Sequence, residues 1–104
     1  MEDLTRVKNW IEAGRQIGAR LSFEKEGETY WLSIAVQKWE SLYKLYFNKT
    51  AESMMGDLDY YDVEGTIRVG YFDELEGLIS ILSPFKLSEL APLKGQKIFN
   101  PEFD

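Results

Sequence analysis

The residues with the clearest chemical potential form one short acidic and aromatic run, Asp57, Asp59, Tyr60, Tyr61, Asp62 and Glu64, followed by Asp73, Glu74 and Glu76. Carboxylates at this density support two kinds of chemistry: binding a hard cation, or binding a positively charged surface. The spacing Asp57-x-Asp59-x-x-Asp62-x-Glu64 fails the calcium-loop pattern. Counted from Asp57, the sixth position is Asp62 where a glycine is needed for the sharp turn, and the twelfth is Arg68 where a bidentate glutamate is needed. Side chains alternate along a strand, so Asp57, Asp59 and Tyr61 would share one face and Tyr60, Asp62 and Glu64 the other. A magnesium site would then require a bend that brings the oxygens together.

The chain has 104 residues and contains neither histidine nor cysteine. Catalytic triads and dyads built on those residues, thiolate nucleophiles, His/Cys zinc sites and His/Cys haem ligation are therefore excluded. Carboxylates, lysines, tyrosines and hydroxyls remain, so the sequence points away from an enzyme and calls for no cofactor. Gly95-Gln96-Lys97 lacks the earlier glycine and the Ser/Thr of a phosphate loop. The net charge is −6. Residues 51–76 hold eight acids and one base, for −7, against +1 for residues 1–50 and zero for residues 77–104. An acidic chain with no positive footprint is a poor match for nucleic acid. The start Met1-Glu2-Asp3 leads into no apolar run of signal-peptide length, and no stretch is long enough to span a bilayer, so a cytoplasmic location without membrane contact is expected.

Hydrophobic periodicity predicts the elements that must position the acidic run. Leu4, Val7, Ile11, Gly14 and Ile17 recur at helical steps, which predicts a helix over about 3–17, capped by Asp3 and ended by Gly18. The period becomes two from Ala19. Leu21 and Phe23, then Tyr30, Leu32, Ile34 and Val36, form a hairpin around Glu26-Gly27-Glu28. Aromatic enrichment and the turn at Trp39-Glu40-Ser41 favour a strand over a helix for residues 39–48. Lys49 to Gly56 reads as a loop with one helical turn. Strands at Leu58–Val63 and Thr66–Phe72 flank a turn at Glu64-Gly65. Asp73-Glu74-Leu75-Glu76 has the form of a capping box that opens a helix over about 74–82, which Ser83-Pro84 ends. Residues 83–104 read as an extended tail with a helical turn near Ser88–Ala91, pinned by Leu87, Leu90, Leu93, Ile98 and Phe99.

The expectation is a single α+β domain over residues 1–104, an antiparallel β-meander of four or five strands with its sheet at about 19–72 and both helices on one face. Its functional surface is expected at Asp57, Asp59, Tyr60, Tyr61, Asp62, Glu64, Asp73 and Glu74, where carboxylates would steer a basic protein partner and tyrosines would anchor it. This profile of a small, acidic chain without catalytic equipment suits an inhibitor, of the kind that bacterial immunity proteins represent against a cognate basic toxin such as a nuclease. Two alternatives share the profile. One is an adaptor that uses Trp31 and Trp39 on the less apolar face of their strand; the other is a carboxylate- and magnesium-dependent enzyme.

Overall fold

The computed structural model describes residues 4–54, 63–93 and 97–102. Helix α1 is Thr5–Glu12, and strands β1 (Ile17–Lys25), β2 (Glu28–Trp39) and β3 (Leu42–Ala51) follow. A 3-10 turn at Glu52–Met54, strand β4 (Val63–Val69) and helix α2 (Asp73–Leu82) come next, then a second 3-10 turn at Leu87–Glu89 and a short strand β5 (Ala91–Pro92). The sheet order is β4-β3-β2-β1-β5, and every pairing is antiparallel. This is the α+β fold with a β-meander that the periodicity predicts.

Alternation along the strands decides which residues meet the helices. Ile34 pairs with Ala19 and Phe47, and Leu45 with Val36 and Ile67, so these side chains share one face. Val7 and Ile11 of α1, Leu75 and Ile79 of α2, and Leu87 and Leu90 after it pack there against Ile17, Ile34, Val36, Tyr43, Leu45 and Val69. Phe72 ties the start of α2 into this layer, edge-on to Tyr43 at 6.1 Å and beneath the Lys8 ammonium at 5.7 Å.

The predicted helix over 3–17 is shorter at its end. It stops at Glu12 because Gly14, at φ +82°, takes the left-handed conformation that closes a helix. The Arg15 N–H bonds Trp10 O and the Gly14 N–H bonds Ile11 O, both at 3.0 Å. Ile17 thus belongs to β1, and Gly18, expected as the terminator, lies inside that strand. A Cβ at Gly18 would stand 2.5 Å from Ile34 O and 3.0 Å from Ile98 Cδ1, so close approach rather than backbone conformation requires this glycine. Asp3 lies outside the described residues.

Glu64-Gly65 is no turn. β4 runs through it, Gly65 pairs with Phe47, and the Phe47 ring occupies the space a Cβ would need. Tyr71 and Phe72, assigned to a strand by their sequence pattern, follow β4 and lead into α2. Residues 58–62 of the other expected strand lie outside the described residues. β3 extends to Ala51, past the expected loop start at Lys49. The capping box does not form. Asp73 is already helical, and Phe72, at the cap position, gives no side-chain hydrogen bond; the Glu74 and Leu75 N–H groups bond Tyr71 O and Phe72 O instead. Part of the tail is strand, since Ala91 and Pro92 pair with Gly18 and Ile17.

Both hairpin turns have two residues. Glu26 and Gly27 (φ 53° and 80°) and Glu40 and Ser41 (φ 49° and 72°) all lie in the left-handed region, which matches the twist of the flanking strands. The second turn holds two side-chain-bearing residues there without Gly or Asn, a locally strained choice.

Candidate partner-binding surface

The predicted site residues separate in the structure. Asp57, Asp59, Tyr60, Tyr61 and Asp62 lie outside the described residues. Glu64 is on β4, and its side chain points to the face opposite the helices, where the Tyr46 hydroxyl donates to its carboxylate. Asn48 Nδ2 in turn donates to the Tyr46 oxygen at 3.3 Å. Asp73 and Glu74 stand exposed in the first turn of α2, on the helix-bearing side of the sheet. Glu64 is therefore part of an intramolecular hydrogen-bonded chain and not of one surface with Asp73 and Glu74.

The surface around α2 is built by helical periodicity. Leu75 and Ile79 turn inward and are fully buried. Asp73, Glu74, Glu76, Ser80 and Ile81 turn outward, and Tyr71 sits just ahead of them. Tyr71 and Ile81, at 73% and 79% exposure, are the most exposed large apolar side chains among the described residues. The stretch Tyr71–Leu82 contains no basic residue. The three carboxylates also face the positive end of the helix dipole, a placement worth ~0.3–1 kcal/mol each at low salt. They thus have a structural role as well as a recognition potential, which the exposed Tyr71 and Ile81 do not.

The opposite face is organised differently. Trp31, Ala35, Gln37 and Trp39 of β2 share it with Lys44 and Tyr46 of β3. Residues 97–102 lie across it. The Phe99 ring stacks on Tyr46 at 5.2 Å, with Ala35 and Ile98 in the same cluster. β2 rises ~3.3 Å per residue, so Trp31 and Trp39 are roughly 26 Å apart, with Phe99 packed at Ala35 between them. They do not form one continuous apolar patch. Trp39, Glu40, Leu42, Lys44, Arg68 and Glu102 line an open depression of about 300 Å³ at the end of this face, whose two cations are balanced by two carboxylates.

One further polar cluster joins α1 to the sheet. Glu12, at the C-terminal end of α1, is on the unfavourable end of the helix dipole. The Lys38 ammonium at 2.7 Å and the Tyr43 hydroxyl at 2.6 Å compensate. Lys38 first, then Tyr43, hold the Glu12 carboxyl below its usual 4.5, while the bond to Glu12 and then burial push Tyr43 from 10 up to about 12. A depressed carboxyl stabilises the fold above pH 4.5 and loses that effect as pH falls below it; a raised phenol stabilises below pH 10 and loses it between 10 and about 12. Tyr43→Phe is accordingly expected to cost ~1 kcal/mol near neutrality, with the difference from the unsubstituted chain shrinking at both ends of the scale. Urea unfolding across pH tests this; a difference that stays constant into the alkaline window would refute it.

Among the described residues no group of three or more carboxylates converges to hold a metal ion, and no helix is long and apolar enough to cross a membrane. The chain matches no protein-family model, no curated protein and no solved structure.

Proposed function

We propose that this chain is a non-catalytic binding protein whose acidic surface engages a basic protein partner, in the manner of an inhibitor that neutralises a toxin. The observation that carries the reading is the outer face of α2: three carboxylates, no base, and the strongly exposed Tyr71 and Ile81 beside them. Carboxylates raise the encounter rate with a basic surface, and apolar side chains that become desolvated supply the anchoring energy. Residues 51–76 together carry a net charge of −7, and a net negative charge favours encounter with a basic partner. The immunity-protein form of the reading adds a bacterial origin and a cognate toxin encoded beside this chain.

The test uses the product of the adjacent reading frame, purified and titrated against this chain. The double variant Asp73→Lys/Glu74→Lys is expected to slow association, and rising salt to weaken the unsubstituted complex. Tyr71→Ala and Ile81→Ala are expected to speed dissociation, each by ~2 kcal/mol if it is an anchor. Tight binding that none of these four changes alters would place the contact elsewhere. Absence of binding to any basic neighbour would remove the inhibitor reading.

A further inference from the structure

Gln16, Gln37 and Lys44 are buried polar residues on the side of the sheet opposite the helices. Their bonds run largely to main-chain atoms. Gln16 Oε1 accepts from Ile98 N at 2.7 Å and from Phe99 N at 3.3 Å, while its Nε2 donates to Phe99 O at 2.8 Å and to Gln37 Oε1 at 2.9 Å. Gln37 Nε2 donates to Gly14 O at 3.1 Å, which fixes the Gln16–Gln37 pair from behind. The Lys44 ammonium donates to Pro101 O. Side-chain recognition rests on three positions, Ile98, Phe99 and Pro101. The Phe99 ring lies nearly parallel to Tyr46, and Pro101 is fully buried. Two small residues, Gly18 and Ala35, lie on this face beside them, and Gly18 leaves just enough room for the Ile98 side chain.

This is how a peptide site is built. Donors and acceptors placed for the main chain hold a segment whatever its sequence, and pockets for its side chains select it. We propose that this face is a binding groove for a short peptide of the pattern aliphatic-Phe-x-Pro, which residues 98–101 of the same chain occupy. Among the described residues, this segment makes no strand pairing with the sheet. It is held by the bonds named above and by the side chains of Ile98, Phe99 and Pro101, so it is separable from the fold in a way that a ladder strand is not. A tethered occupant acts at an effective concentration in the millimolar range, and a free peptide of ordinary affinity therefore enters only when the tethered one is weakened.

The test is a titration of the full chain with a fluorescent peptide of residues 97–102. The chain carrying Phe99→Ala is expected to bind this peptide at least tenfold more tightly than the unsubstituted chain. Adding Gln16→Ala or Tyr46→Ala to that background is expected to abolish binding, as is placing Phe99→Ala in the peptide. Cooperative urea unfolding confirms that the Phe99→Ala chain is folded; Pro101→Ala serves as a milder opening of the groove should it not be. Failure of both opened chains to bind the peptide at millimolar concentration would overturn the proposal. So would binding that is indifferent to Gln16, Tyr46 and the peptide's phenylalanine.

Discussion

Replacing Leu45 by alanine is expected to lower the free energy of unfolding by ~3–4 kcal/mol. Leu45 is fully buried on β3, a strand paired on both sides by β2 and β4. It lies in the same core as Val36 and as Leu75 and Ile79 of α2. Neighbours anchored in a sheet relax little into a void, so the truncation loses both the transfer energy of the side chain and the contacts of the cavity lining. A domain of this size has a stability of about 5–15 kcal/mol, so the loss is a large part of the whole. At a urea slope of ~1.5 kcal/mol/M the midpoint should fall by roughly 2 M. A fall of less than half that, with the slope unchanged, would mean that the site collapses around the smaller side chain.

The second large effect is expected from Gln16→Leu. Leucine is close to glutamine in size but removes a donor and an acceptor that together serve four groups: Gln37 Oε1, Phe99 O, Ile98 N and Phe99 N. A buried polar group without its partner costs ~1–3 kcal/mol, whereas the net worth of a made bond is about half that. The molecule has one escape, which is to lift residues 97–102 off the sheet and let water satisfy the freed groups. The loss is therefore limited by the cost of undocking that segment, and ~2–4 kcal/mol is expected. Hydrogen exchange distinguishes undocking from global loss. The Ile98 and Phe99 amides should exchange rapidly in Gln16→Leu while the amides of β2 and β3 remain protected. Unchanged protection at Ile98 and Phe99, with stability within ~0.5 kcal/mol of the unsubstituted chain, would show that Gln16 is not the clasp.

Where sequence pattern and structure part, tertiary contact has overridden a genuine local signal. The stripe Leu4, Val7, Ile11, Gly14, Ile17 is periodic enough to run as one helix, yet the chain turns at Gly14, and Ile17 reaches the same core from a strand. Periodicity reports which side chains are buried together, and two different elements can supply them. Glu64-Gly65 has turn composition, but the Phe47 ring from the neighbouring strand covers the glycine and keeps it in the ladder. The form Asp73-x-x-Glu76 is a capping signal that goes unused, because the chain leaving β4 already supplies Tyr71 O and Phe72 O to the first helical N–H groups. The candidate partner surface was legible as charge: Asp73 and Glu74 stand on an exposed helix face. The exposure of Ile81 beside them was not, because helical phase fixes which side chains face out only once the inner face has a sheet to pack on.

The class of the fold and the chemistry open to the chain are written in its residues. Local alternation, turn composition and the missing histidine and cysteine belong to the residues themselves, and no packing can change them. The role of residues 97–102 emerges only in three dimensions. Gln16, Lys44 and Tyr46 look like ordinary surface positions, and the contacts that bury them come from a segment more than fifty residues away in the chain. Contacts over such a separation leave no periodic trace, because they depend on where two distant segments are carried by everything that folds between them.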